Sequence, residues 1–460
     1  MRELPKVDTL RMSEFLSRRD ALRHIGAVTA AVSLPVLGSK TLASAAPGPP
    51  TFFVSASGDD NADGLSPQSA WATIQRANAS LPNDGSVLLF RRGDTFFGEL
   101  DLPFGCEVGA FGIGDRPILT LFKHLNHPKG WVAETAGLWR IDLGSPDTHD
   151  GYTATSDANI GYLTVDGAVM PALKFDPAEL GEPWNFFCDI PNHLLYVFAP
   201  ANPTTLATDI KAAPNGNNYG STGRVIHCSK GSNEIHDVHV TGSGGCGIGG
   251  IGPDVHIHDC LIDYIGGSYL QPRAGVRYGN AIENWVNVKR WLIENNEIAQ
   301  VYDAAFSPQG IAGTNGGWED LTLRNNHIHN CTQSIEFASW GATESAPGYQ
   351  RILVEGNLIE QGGYSVFSDV RPDHDVRVFL NSYLWETPAD ITIQNNVFDD
   401  VYGTYSFHAR EPVGLVTRNN MIRMRAGQRI QFQRPETVED FAAWQEATGR
   451  EVGSTMTIFE

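Results

Sequence analysis

Between Trp291 and Ile422 one short pattern is written five times, and it restricts the fold more than any other feature of the chain. The copies are Trp291-Leu-Ile-Glu-Asn-Asn296-Glu-Ile298, Leu321-Thr-Leu-Arg-Asn-Asn326-His-Ile328, Ile352-Leu-Val-Glu-Gly-Asn357-Leu-Ile359, Ile391-Thr-Ile-Gln-Asn-Asn396-Val-Phe398 and Leu415-Val-Thr-Arg-Asn-Asn420-Met-Ile422. Weaker copies precede them at Ile235–Val240 and Val255–Ile262. Apolar residues alternate with polar ones, a period of two that predicts strands. The second Asn recurs after 30, 31, 39 and 24 residues, so the shortest spacing is the bare unit and the others carry insertions. A unit this short cannot bury its own apolar face, and the copies must stack into a solenoid. Asn suits the bend between strands because it tolerates the left-handed region, and stacked Asn side chains can hydrogen-bond along the axis.

These repeats, with the run Phe52-Phe-Val-Ser-Ala-Ser-Gly-Asp-Asp60, Trp71-Ala-Thr-Ile-Gln-Arg-Ala77 and Gly85-Ser-Val-Leu-Leu-Phe90 ahead of them, resemble the right-handed parallel β-helix proteins of the pectin-lyase-like superfamily. The resemblance covers about residues 51–435. It implies an all-β solenoid whose first coil is capped by a strand and a short helix. It does not select a reaction, because such helices host lyases, hydrolases, epimerases and non-catalytic adhesins.

The expected organisation has five parts. Residues 1–45 read as a signal peptide, 46–119 as the N-terminal cap and first coils, and 120–215 as an inserted β excursion. Residues 216–435 carry the β-helix repeats with groove-forming loops, and 436–460 a C-terminal helix and tail. In the excursion, Trp139–Asp142, Gly161–Asp166 and Leu194–Phe198 read as hairpin strands, with a turn at Asp166-Gly167. Glu436–Thr448, with Phe441 and Trp444 on one face, predicts a helix that covers the open end of the solenoid.

Ser17-Arg18-Arg19-Asp20-Ala21-Leu22, the modest apolar run Ile25–Leu37 and the small residues Ala43-Ser44-Ala45 match a twin-arginine signal peptide, with Ala21 in place of the usual Phe. Export to the periplasm or beyond is expected, and no later segment reaches membrane-spanning length. The whole chain carries 33 Lys+Arg against 53 Asp+Glu, and removal of residues 1–45 takes seven of the former and four of the latter, leaving a charge of −23. Such an acidic chain without basic clusters argues against nucleic acid and anionic membranes as partners. The six cysteines show no CxxC or Cys/His metal spacing, so neither zinc nor another metal is expected; they read as buried, unbridged thiols.

Phasing the coils locates a candidate site. Ten residues after the second Asn stand Phe306, Glu336, Phe367 and Ser406, with mostly apolar or small neighbours on each side. Alternation then turns these four outward, together with the residues two further on, Pro308, Ala338, Asp369 and His408. On this count Asp369 and His408 occupy equivalent places on adjacent coils. Glu283 lies outward one coil before Phe306, two coils and thus about 9–10 Å from Glu336. Asp303 starts the coil between them. Loops 308–318, 340–349 and 371–389 leave after this strand row, and Gly266–Gly279 enters before it, which predicts a groove. Arg371 and Arg410 lie near the strand ends, and the aromatic residues Trp318, Trp340, Tyr349, Tyr383 and Trp385 lie in or beside the loops, where exposed rings stack on sugars.

Three function classes follow. A glycoside hydrolase would share acid and base work among Glu283, Asp303, Glu336 and Asp369. A polysaccharide lyase would use His408 with Arg410 or Arg371 on a uronic-acid polymer, with Ca²⁺ as the one cofactor in view. The Lys/Arg pair and calcium cluster of β-helix lyases are not matched, however, and Lys289 is the only lysine after residue 230. A non-catalytic glycan-binding protein would only hold the polymer. The Gly-rich stretch Gly242–Gly250 lacks a following helix and reads as tight β-helix turns rather than a nucleotide loop.

Overall fold

Three long parallel sheets run between Thr51 and Phe459, and successive coils of the solenoid add strands to each of them. The computed structural model describes residues 48–216, 223–270, 275–285, 287–311, 316–340, 348–385, 389–408, 412–434 and 436–460, without the side chains of Trp340, His374, Leu384 and Trp385. Residues 1–45, read above as a signal peptide, and Arg410 lie outside the described residues. Pro49–Glu460 forms one unit.

The first sheet takes the strand before each Asn-Asn bend, as in Val288–Glu294, Trp318–Arg324, Ile352–Glu355, Ile391–Gln394 and Leu415–Arg418. The second takes the strand after it, as in Glu297–Val301, His327–His329, Leu358–Glu360, Val397–Asp399 and Met421–Arg425. The third carries the strand row on which the candidate site was read: Arg224–His227, Cys246–Gly250, Ile282–Asn284, Ala304–Ile311, Gln333–Trp340, Leu380–Trp385, Gly403–Phe407 and Arg429–Gln431. Parallel pairing of consecutive coils in all three makes the architecture a parallel β-helix.

The core is a set of ladders inside this tube. Ile262, Ile298, Ile328, Ile359, Phe398 and Ile422 pair coil to coil along the second sheet, and all are buried. Ile257, Ile293, Leu323, Val354 and Ile393 do the same in the first. Each such side chain contributes about 1.5–3 kcal/mol by leaving water.

The two residues of the Asn-Asn bend divide the work. The first position is left-handed: Asn295, Asn325, Gly356, Asn395 and Asn419 have φ between 54° and 64°. The second forms a buried ladder. Asn296 donates its backbone N–H and its Nδ2 to Asn326 Oδ1, each at 3.0 Å, and Asn326 repeats this to Asn357. Asn357 continues it to Asn396, and Asn396 to Asn420. Glu451 ends the ladder, accepting from Asn420 Nδ2 at 2.9 Å.

Both caps form. The helix Ile74–Ser80 is started by the Thr73 side chain and buries Ile74 and Ala77. At the other end Phe441–Thr448 buries Phe441 and Trp444, the latter stacked on Tyr405 at 5.7 Å. The expected tail also holds a strand, Thr455–Phe459, which extends the second sheet beyond Met421–Arg425. The excursion is two small antiparallel sheets over a separate apolar cluster. Its turn at Asp166-Gly167 has φ of 47° and 85°, the geometry of a tight hairpin turn. All six cysteines are buried and unbridged.

Candidate active site

The register of the third sheet settles which side chains face outward. Glu283 pairs with Ser307, and the strand 304–311 pairs with 333–340 such that Ser307 lies opposite Glu336. Glu336 pairs with Asn381, and Asn381 with Ser406. The outward row is therefore Glu283, Ser307, Glu336, Asn381, Ser406. Phe306, expected outward, is a buried core residue, because that coil's turn is one residue longer than a fixed count of ten allows. Phe367 is also buried, and it belongs to no strand.

The expected Asp369–His408 pair does not form. The 39-residue coil carries its long insertion before the third-sheet strand rather than after it, so the strand is Leu380–Trp385. Asp369 lies in the short 3₁₀ turn Ser368–Val370, where its exposed carboxylate meets Arg377 at 3.3 Å. His408 instead contacts Asn381 Oδ1 at 3.1 Å, stacks on Tyr383 at 4.8 Å, and lies 3.9 Å from Asp375. Trp318 is also misassigned as a sugar-binding residue: it is wholly buried and stacks on Tyr349 at 4.6 Å. Trp340 and Trp385 lie on third-sheet strands, and their side chains are outside the described residues.

Glu283, Asp303 and Glu336 do come together. They line one cavity of about 640 Å³ over the third sheet, with Gln309, Arg371, Asp373 and Tyr383. The antiparallel pair Ser268–Tyr269 and Arg277–Tyr278 walls it on one side, and the segment Val370–Asp373 on another. Phe175 reaches it from the excursion. Among the described residues the expected groove takes the form of this cavity, and parts of the loops read as building it, 271–274, 312–315, 341–347 and 386–388, lie outside the described residues.

Asp303 and Glu336 are bridged by one amide. Gln333 Nε2 donates to Asp303 Oδ1 and, at 3.1 Å, to Glu336 Oε2. Arg371 binds Asp303 at 2.7 Å, Asp373 at 3.0 Å and the Tyr383 hydroxyl at 3.1 Å. Burial, then the neighbouring Asp303 carboxylate, holds the Glu336 carboxyl well above its ordinary range. Burial raises Asp303 too, against the pull of Arg371. Two buried carboxyls facing one guanidinium hold one negative charge more easily than two. Arg371 touches Asp303, so the charge rests on Asp303 and the proton on Glu336.

Glu283 is supported from the opposite end of the row. Arg224 Nη2 meets its carboxylate at 3.0 Å, the Cys246 thiol donates to it at 2.9 Å, and Gln309 Nε2 lies at 3.4 Å. Arg224 stands two coils earlier, and Gly249 lies between, opposite Glu283. A Cβ on Gly249 would fall 2.7 Å from Arg224 Nε and 2.2 Å from the Glu283 carbonyl oxygen. The Gly-rich stretch is therefore partly a strand, Cys246–Gly250, whose missing side chain lets Arg224 reach across a coil.

Sequence reasoning did not find Arg224, Gln333, Gln309 or Trp285. Trp285 directly follows the Glu283 strand, lines the cavity and is 39% exposed. It lies flat on Gly310, whose φ is +137° and whose added Cβ would meet the indole at 2.8 Å. A Trp two residues after an outward Glu, opposed by a Gly in the next coil's strand, is a signal that could have found it.

No family model matches the chain, and no curated protein matches it. Among solved structures it is similar to a complex of XylC with xylose, at 10% identity and a TM-score of 0.48, covering 83% of this chain and 70% of that one. It is also similar to a GH136 lacto-N-biosidase from Eubacterium ramulus, at 12% identity and a TM-score of 0.39, covering 89% and 68%. A structure described as a glycoside hydrolase matches at 10% identity and a TM-score of 0.46, covering 90% and 96%.

Proposed function

We propose that the chain is an exported glycoside hydrolase that cleaves a glycan in the cavity over the third sheet, with Glu336 as general acid and Glu283 as general base. One observation carries this reading: two buried carboxyls sit at equivalent positions two coils apart, facing one cavity, and the surroundings of one of them keep it protonated. Strand spacing sets their Cα atoms about 9–10 Å apart, and side chains that enter one cavity from that distance suit an acid and a base with a water between them. The Glu336 proton passes to the glycosidic oxygen as its bond to the anomeric carbon breaks. Water attacks that carbon from the opposite face and gives its proton to the Glu283 carboxylate. One product gains the hydroxyl and the other the hydrogen; proton exchange with solvent restores both groups. Asp303 and Arg371 hold the charge that keeps the acid protonated, and Trp285 and Tyr383 offer ring faces to sugar. The leader read at residues 17–45 supports periplasmic or extracellular action.

The lyase reading finds less support in this geometry. Arg371 already faces Asp303 and Asp373, which leaves little positive charge for a uronate carboxylate, and His408 lies behind Tyr383. The test is a panel of neutral and uronic glycans incubated with the mature protein, with and without Ca²⁺. New reducing ends without ultraviolet absorbance support hydrolysis. Rising absorbance would mean an unsaturated uronate and would overturn it, as would binding of a glycan without turnover.

A further inference from the structure

On the outer face of the first sheet, remote in the row from Glu336, three side chains from two adjacent coils converge. Glu234 lies on the strand Glu234–His236, and His256 and His258 lie on Val255–His258, its parallel neighbour. One donor atom from each falls within 4.8 Å of the other two. Glu234 Oε1 is 3.0 Å from His258 Nε2 and 3.9 Å from His256 Nδ1. Ligands about 2.0–2.1 Å from a tetrahedral ion lie roughly 3.3 Å from one another, so these two spacings bracket what an ion requires.

The far side of each ring is also occupied. His258 Nδ1 meets the Asp259 carboxylate at 2.8 Å, and His256 Nε2 meets Glu294 at 3.0 Å. Glu294 is itself held by Arg324 Nε at 2.7 Å. Without an ion the His258 ring donates to both Asp259 and Glu234, and a bound metal would take the place of the proton on Nε2; the carboxylates on the remote nitrogens of the two rings hold them in place, as carboxylates do for metal-ligating imidazoles. His236, stacked on His258 at 5.1 Å, is committed elsewhere: its nitrogens meet Glu107 and Asp237.

We propose that Glu234, His256 and His258 form a binding site for a divalent transition-metal ion of the zinc type, which ties two consecutive coils together. Two imidazoles and one carboxylate suit such an ion, whereas calcium and magnesium prefer oxygen donors alone. The fourth position opens to water, since Glu234 is exposed and both histidines are half-buried. This site rests on observations separate from the cavity and stands whether or not the chain cleaves a glycan.

The test is calorimetric titration of the untagged full chain with Zn²⁺, alongside thermal melts. One Zn²⁺ per chain and a rise in melting temperature are expected, with no competition from Ca²⁺ or Mg²⁺. Glu234→Ala and His258→Ala should each weaken binding at least tenfold, and Asp259→Asn by about tenfold through the ring orientation. His236→Ala should leave binding unchanged. These side chains lie at the surface, and metal-free melts of the variants verify that the fold persists. Absence of saturable binding, or equal affinity in the wild type and the Glu234 and His258 variants, would overturn the proposal.

Discussion

Glu283 and Glu336 stand at the same register of one parallel sheet, two coils apart, with Ser307 on the strand between them. The stacking of the solenoid thus fixes their separation independently of any loop. Replacing either with Gln keeps the shape and removes the proton transfer. Glu336→Gln and Glu283→Gln should each lower kcat by about 10²–10⁴-fold, the usual worth of a positioned acid or base, with little change in binding of intact substrate. Steady-state kinetics and a binding titration on the same glycan measure both. Full activity in either variant would refute its assignment.

Glu336 carries a stability consequence as well. Its folded-state pKa lies well above the unfolded value, so the folded chain holds a proton that the unfolded chain releases once the pH exceeds about 4.5. Its contribution to stability is fully present below that pH and is lost as pH rises toward the folded value. Glutamine needs no proton. Glu336→Gln should melt at the same temperature as the wild type near pH 4 and about 1–3 °C higher at pH 7. Equal melting temperatures at both pH values would show that Glu336 is not held protonated. A more stable but inactive variant is the pattern expected of a strained functional site.

Trp318 and Trp285 should separate cleanly. Trp318 is buried against Tyr349, and Trp318→Ala should cost about 3–5 kcal/mol of stability. Trp285 is a cavity-lining residue, so Trp285→Ala should raise KM by about 3- to 10-fold and leave stability nearly unchanged. Gly310→Ala should raise KM as well, because the added methyl group displaces the indole, and at a φ of +137° it should also cost about 1–3 kcal/mol of stability. Urea unfolding and kinetics on the three variants check the contrast.

The asparagine ladder should be as important as the apolar core. Asn357→Ala removes the acceptor of the Asn326 backbone N–H and Nδ2 and the donor to the Leu323 and Glu355 carbonyl oxygens, all at 3.0–3.1 Å. Orphaning these groups in a buried coil should cost about 2–4 kcal/mol, measured by the urea midpoint.

Much of this was readable from residues alone, and the limits have physical causes. The Asn-Asn bends located the first and second sheets because every coil makes that turn with the same few residues. The third sheet has no such marker. Its strands follow turns of variable length, so a fixed count placed Glu336 correctly, misplaced Phe306 by one residue, and put Asp369 on a strand it does not join. Glu283, Asp303 and Glu336 were placed near one another because solenoid stacking brings equivalent positions together, whereas Arg371 reaches them from the end of a 3₁₀ turn and not from the strand end expected of it. Gln333 and Arg224 were missed because a neutral amide and an arginine two coils away carry no local pattern. The trio Glu234, His256 and His258 escaped for a related reason. Its spacing is set by the length of a coil, not by any short metal motif.

The separation of Glu283 and Glu336 also determines the product. Proton NMR of a glycan substrate, recorded as the first bonds are cut, reads the anomeric configuration before mutarotation. Acid and base catalysis across a water predicts a new reducing end of inverted configuration. Retained configuration, or an unsaturated sugar in place of a reducing end, would contradict the account.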